Sequence, residues 1–107
     1  MTEDELLAFI AGTLGSIWAL ELLLLLRRDP TVGWDPAALV LELRSSSIVI
    51  DEALERLAMA GFVVKDRAGM RRYQAASPEL EDIAHQLEHV YSLKPLAVMR
   101  AIGARPG

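Results

Sequence analysis

The chain of 107 residues contains no cysteine, which excludes a disulfide framework and a cysteine metal site and fits a reducing compartment. A membrane-length apolar run is also absent. The run Ile17–Leu26 has ten residues and is interrupted by Glu21, whereas a membrane span needs about 20. The chain begins with the acidic stretch Met1–Glu5, where a secretory signal would be basic. We therefore expect a cytoplasmic protein.

The residue groupings typical of enzymes are lacking as well. There is no phosphate-binding glycine loop and no cysteine nucleophile, and no serine is tied to a histidine. Glu81, His85 and His89 share one helix face at metal-ligand spacing, but this face lies opposite the apolar stripe and no further ligand is evident. We predict a solvated polar surface there, and a protein without catalytic residues, metal or cofactor.

The length and composition of the chain are those of one globular domain. Apolar residues make up 52% of the sequence and charged residues 24%. Apolar spacing and capping residues predict the order helix, helix, short helix, turn, helix, ribbon, helix, helix. The residues that should start these helices are Thr2 with Glu5, Ser16, Asp35 with Pro36, Ser47, and Ser77 with Pro78. Pro95 should break the helix that starts at Ser77, and a last short helix should follow it.

The stretch Ser45–Ser77 is the most informative part of the chain. Ile50, Leu54 and Leu57 lie on one apolar helix face, and Gly61 suits the left-handed residue that ends a helix. A strand at 62–64, a turn at 67–69 and a return strand at 70–75 should follow. This segment resembles the recognition helix and wing of a winged helix-turn-helix domain.

The resemblance implies a mainly α fold with a small β-hairpin wing and extra terminal helices. We predict a single domain over residues 1–107, with an N-terminal helix in 1–15, a winged-helix core in 16–76 and C-terminal helices in 77–107. The flanking helices resemble those of MarR-type transcriptional regulators, in which terminal helices form the dimer. The homodimer interface predicted on this basis consists of Leu6, Phe9, Ile10, Leu96, Val98, Met99 and Ile102, with Leu14 on the same stripe.

The resemblance also places the surface of the recognition helix. The residues concerned are Ser46, Ser47, Ile48, Val49, Asp51, Glu52 and Glu55. Duplex DNA attracts Lys and Arg, so three carboxylates without a cation among them would be repelled by the phosphates. Exposed Ile48 and Val49 would better suit a protein surface.

Basic residues cluster on the predicted wing, at Lys65, Arg67, Arg71 and Arg72. They could hold phosphates, or they could be solvated charges, some of them paired with Asp66 or with the acidic helix. The net charge of −4 opposes strong nucleic-acid affinity. Two functions remain. The acidic helix favours a transcription-related regulatory module that binds a protein partner, and the alternative is a homodimeric, sequence-specific DNA-binding regulator that uses the basic wing.

Overall fold

The structure is a computed structural model that describes residues 1–103. Its helices are α1 (Glu3–Phe9), α2 (Ile17–Arg28), α3 (Pro36–Leu43), α4 (Ser47–Ala60), α5 (Pro78–Leu93) and α6 (Pro95–Gly103), and its strands are β1 (Val63–Lys65) and β2 (Arg71–Tyr73). The prediction of a mainly helical chain with a small antiparallel hairpin is confirmed. Residues 104–107, the end of the predicted C-terminal region, lie outside the described residues.

The predicted helix starts are confirmed at most positions. Thr2 and Glu5 form a reciprocal capping box, with N···O distances of 3.1 and 3.2 Å. Ser16 caps α2, Asp35 caps α3 and Ser77 caps α5, each accepting a hydrogen bond from a free N–H of the first helical turn. The starts of these helices can therefore be recognised from neighbouring residues in the sequence.

The cap predicted for α4 is wrong by one residue. The hydroxyl oxygen of Ser46, not of Ser47, accepts the hydrogen bond from the backbone N–H of Val49 at 3.2 Å. Capping requires an extended residue before the helix, and Ser46 has φ −115° and ψ 161°. Three consecutive serines offer equivalent hydroxyls, so the backbone geometry decides between them.

A π-helical turn, Ile10–Leu14, continues α1 and was not predicted. Ile10 and Leu14 are both fully buried, and the carbonyl of Ile10 accepts a hydrogen bond from the N–H of Gly15 at 2.9 Å. Gly15 has φ 76°, and it separates this turn from α2. Within residues 1–103 no single helix has the length and apolar composition to cross a membrane. The segments Glu3–Leu14 and Ile17–Arg28 have that length and composition only when they are taken together, and the angle between them is 101°.

Helix α2 forms the centre of the core and packs mainly against α4. Leu22, Leu23 and Leu26 are fully buried, and no residue from 17 to 27 is exposed. The facing side chains of α4 include the buried Leu54 and Leu57, as their spacing predicts.

The hairpin follows α4 directly. Gly61 ends the helix with φ 89°, and β1 pairs antiparallel with β2 so that Val63 faces Tyr73 and Lys65 faces Arg71. Trp34 extends this sheet on its other side, because its N–H and carbonyl bond reciprocally to the backbone of Arg71 at 2.7 and 2.8 Å. The segment that precedes α3 therefore holds the hairpin.

The terminal helices pack on the core of their own chain. Leu6, Ile10, Leu14 and Val98 are buried there, and Phe9 and Ile102 are partly buried against the same core. Leu6, Ile10 and Val98, which were predicted at the dimer interface, therefore belong to the core of their own chain. Of the predicted dimer interface, Leu96 and Met99 remain exposed, at 64% and 45%. The dimer itself stays a prediction.

Candidate interaction surfaces on helix α4 and the hairpin

The solvent-facing side of α4 holds most of the residues singled out from the sequence. Ser46, Ser47 and the three carboxylates of Asp51, Glu52 and Glu55 are exposed. Ile48 is 69% exposed, and Val49 is half-buried at the edge of the face. We call Ile48, Asp51, Glu52 and Glu55 the acidic face of α4.

No cation among residues 1–103 forms an ion pair with the acidic face. Arg56, the one basic residue of α4, extends towards the π-helical turn, where its Nη1 donates to the carbonyl of Thr13 at 3.4 Å. A Cβ built on Gly15 would come within 2.6 Å of the same Nη1, so glycine leaves room for this guanidinium. Within residues 1–103, none of the three carboxylates has an ion-pair partner.

Exposed apolar side chains accompany the acidic face. Leu41 on α3 is 79% exposed and Met59 near the end of α4 is 83% exposed. Helices α3 and α4 pack against each other, so these side chains lie on neighbouring elements. The sequence analysis did not single out Leu41, although its position opposite the buried Leu39 face of a short helix was a usable signal.

The four basic residues of the hairpin do not form a single cluster. Lys65 and Arg71 are directly opposed across the two strands, whereas Arg72 is opposite Val64 and points to the other side of the sheet. Arg67 is exposed in the connecting turn. The register thus presents cations on both sides of the hairpin.

Asp66 does not neutralise these cations, contrary to one interpretation of the sequence. Its carboxylate accepts hydrogen bonds from the N–H groups of Ala68 at 2.9 Å and Met70 at 3.0 Å, which makes it a turn-forming residue. A guanidinium nitrogen of Arg71 donates to the carbonyl of Gly69. In the part of the chain that the structure describes, no hairpin cation has an ion-pair partner, from the acidic helix or elsewhere.

A charged cluster around Arg27 was missed by the sequence analysis. The guanidinium of Arg27 contacts Glu81 and Glu88 of α5, each at 3.0 Å, and lies 5.9 Å from the ring centroid of Tyr73. The hydroxyl of Tyr73 donates to Glu81. The available signal was the seven-residue spacing of the two glutamates, which places them on one side of α5.

The electrostatics of this cluster follow from its contacts. Partial burial, and then the hydrogen bond to Glu81, raise the pKa of Tyr73 to about 12. The hydrogen bond from Tyr73 lowers the pKa of Glu81 despite some desolvation. On the neighbouring turn of α5, burial likewise raises the pKa of Tyr91 to about 12, helped by its 2.5 Å hydrogen bond to Glu21. These groups tie α2, the hairpin and α5 together.

The histidine face of α5 lies elsewhere. His85 and His89 are exposed and line an open groove of about 490 Å³ with Glu3 and Lys94, which form an ion pair at 2.7 Å. Glu81 is held by Arg27 and Tyr73. Among the described residues no three potential ligands are grouped for a metal ion.

Comparisons with protein-family models, with curated proteins and with solved structures found no match. The interpretation of this chain therefore rests on two charged surfaces, the acidic face of α4 and the basic hairpin.

Proposed function

We propose that residues 16–76 form a winged helix-turn-helix unit, with α4 in the place of the recognition helix and the β1–β2 hairpin as the wing. The order α2, short α3, α4 and hairpin supports this proposal, as does the packing of α3 and α2 against α4. The terminal helices add to the core of that unit. The fold alone does not determine what the surface binds.

The proposed function is that of a non-enzymatic regulatory module, related to transcription, that uses α4 to bind a protein. The acidic face of α4 carries this proposal, because its three carboxylates have no cation among residues 1–103 and stand beside an Ile48 that is 69% exposed. Phosphates would repel the carboxylates, whereas an apolar side chain ringed by charges is typical of a protein interface.

The hairpin supports a second candidate, a homodimeric regulator that binds duplex DNA. Its four cations have no ion-pair partner in residues 1–103 and could neutralise phosphates. Each such contact contributes about 0.9 to the logarithmic salt dependence of binding. Against this candidate, a helix placed in the groove would bring three carboxylates close to the backbone, offsetting most of that gain.

A titration against duplex DNA at two salt concentrations separates the two functions. We expect no salt-sensitive binding by the wild type. Replacing Asp51 by Asn and both Glu52 and Glu55 by Gln should create non-specific binding, because repulsion is removed from a helix shaped for a groove. Tight, salt-sensitive binding by the wild type, lost on Arg67→Ala with Arg71→Ala, would overturn the proposal.

A matched control carries the same change in net charge on helices other than α4. Suitable exposed carboxylates on other helices are Asp4, Glu79 and Asp82, each replaced by its amide. This control should bind DNA no better than the wild type.

The protein-binding side of the proposal has its own test. Ile48→Glu should abolish capture of a partner, because it places a charge at the apolar centre of the face. Leu96→Glu alters an apolar residue of similar exposure, 64%, on α6 and should leave capture unchanged. Equal loss in both variants would contradict a role for α4.

A further inference from the structure

We propose that the protein bound by the acidic face of α4 is a second copy of this chain, whose basic hairpin it contacts. In a two-fold dimer each protomer would give its α4 to the hairpin of its partner and receive the reverse contact. The inference rests on the proposed function, in that α4 binds protein, and it names the partner.

The two surfaces are complementary in charge. The acidic face of α4 offers three carboxylates and no cation. The hairpin offers Lys65 and Arg71 side by side and Arg67 in the exposed turn, and its single carboxylate, on Asp66, accepts hydrogen bonds from the backbone of the turn. Opposite charges that form no ion pair within residues 1–103 are thus present in similar number on two surfaces of one molecule.

The hairpin is built in a way that calls for an external anion. Lys65 and Arg71 are direct cross-strand neighbours, and like charges in that position destabilise a sheet. A carboxylate placed between them would turn this repulsion into two favourable contacts. Glu52 and Glu55 lie three residues apart and thus on one side of α4, so they could supply two such groups together.

The geometry of a single chain keeps the two surfaces apart. The hairpin begins at the C-terminal end of α4, since only Gly61 and Phe62 separate Ala60 from β1. With a rise of 1.5 Å per residue, Asp51 and Glu55 lie roughly 14 and 8 Å along the axis from that end, and within residues 1–103 neither forms an ion pair with a hairpin cation. A second chain related by a two-fold axis has no such restriction.

Two-fold symmetry gives the contact its closure. If α4 of one protomer bound the hairpin of another without the reverse contact, one α4 and one hairpin would stay unoccupied, and further copies could add to form a filament. A two-fold pairing satisfies both surfaces on both protomers. Ile48, at the start of α4, adds an apolar contact to the charged ones.

The dependence of self-association on salt concentration should distinguish pairing of the two surfaces from repulsion between the net charges of two copies. Two copies repel each other through their net charge of −4. At about 0.1 M salt the Debye length is about 10 Å, so long-range repulsion is largely screened while contact pairs persist; at 1 M it falls to about 3 Å. Association should therefore be present near 0.1 M salt and weaken strongly towards 1 M.

The decisive experiment uses two charge-reversed variants of the full chain, studied by sedimentation velocity near 0.1 M salt. The helix variant carries Asp51→Lys and Glu55→Lys, and the hairpin variant carries Lys65→Glu and Arg67→Glu. Each alone should self-associate at least about tenfold more weakly than the wild type. Mixed together they should form a heterodimer within about threefold of wild-type affinity, because both contacts are re-paired in the mixture.

A control pair separates surface pairing from attraction between net charges. It carries the same four charge changes away from both surfaces, as Asp4→Lys with Glu79→Lys in one variant and Arg28→Glu with Arg100→Glu in the other. Each control variant should self-associate like the wild type. Control variants whose self-association is weakened as much as that of the two test variants would overturn the inference.

Two further outcomes would also overturn it. One is a wild type that remains monomeric at concentrations of about 100 µM, far above the range expected for a modest interface. The other is a dimer lost on Leu96→Glu but kept in both charge-reversed variants, which would assign the contact to α6. The Ile48→Glu capture and the DNA titration need no self-association, so failure of the inference and failure of the proposed function can be told apart.

Discussion

Replacing Leu57 by Ala tests the packing that positions the acidic face of α4. Leu57 is fully buried, and its neighbours in the core include side chains of α2 and α4. Its carbonyl also accepts a hydrogen bond from the N–H of Phe62 at 3.0 Å, which fixes the start of the hairpin to the end of the helix. The backbone around the lost side chain is therefore held from both sides and cannot easily move into the cavity.

The expected cost follows from that restraint. Leucine-to-alanine changes at buried sites lower the free energy of unfolding by about 2–5 kcal/mol, and the larger values belong to sites that cannot collapse. We expect about 3 kcal/mol here. For a domain of this size 1 kcal/mol corresponds to about 4–8 °C, so the melting temperature should fall by about 10–25 °C.

Two controls on the same helix make the measurement specific. Met59 is an apolar residue of similar size but is 83% exposed, and Glu55 is exposed on the acidic face. Each change to Ala should alter the free energy of unfolding by less than about 0.5 kcal/mol. Urea unfolding followed by circular dichroism provides the comparison. Equal losses at positions 57 and 59 would show that the helical phase assigned to α4 is wrong.

Three further predictions concern the charged cluster, the tyrosines and the helix stop. Arg27→Met should cost about 1–2 kcal/mol of unfolding free energy in a thermal melt, from two partly exposed ion pairs and a cation–π contact, whereas Arg28→Met should cost almost nothing. The pKa values of Tyr73 and Tyr91 are raised to about 12 in the folded protein. The contribution of their protonated hydroxyls to the free energy of unfolding is therefore complete below pH 10 and is lost as the pH rises towards 12. Tyrosinate absorbance near pH 10 in the folded protein would contradict this. Gly61→Ala should lower the free energy of unfolding by about 1–2 kcal/mol, because Gly61 has φ 89° and the added Cβ would lie 2.9 Å from Leu80. Gly12→Ala, which adds a Cβ in open space, should leave the free energy of unfolding unchanged or raise it.

The features that the sequence predicted are local ones. Ser16, Asp35 and Gly61 act on the backbone within three residues of themselves, and the buried face of α4 follows from helical spacing alone. A pattern read over adjacent residues contains this information. The resemblance to a winged helix placed the acidic side chains of α4 on the exposed surface, where the structure has them.

The features that it missed depend on distant residues. The ion pairs of Arg27 join positions more than fifty residues apart. The backbone of Trp34 pairs with Arg71, which is also distant along the chain. The terminal stripes around Leu6 and Val98 showed that a partner surface was needed, and the structure supplies it within the chain. An amphipathic helix does not indicate whether its apolar side packs against its own core or against another molecule.

The Arg27 cluster has a consequence for how the molecule opens. A hairpin with three paired residues on each strand is at best marginally stable alone. Here Tyr73 is held by α5 through Glu81 and by α2 through Arg27, so the hairpin cannot separate from the body without breaking the same contacts that hold the first half of α5. We therefore expect its amide protons to exchange with solvent through the same cooperative opening as those of α5, although its own hydrogen bonds are few.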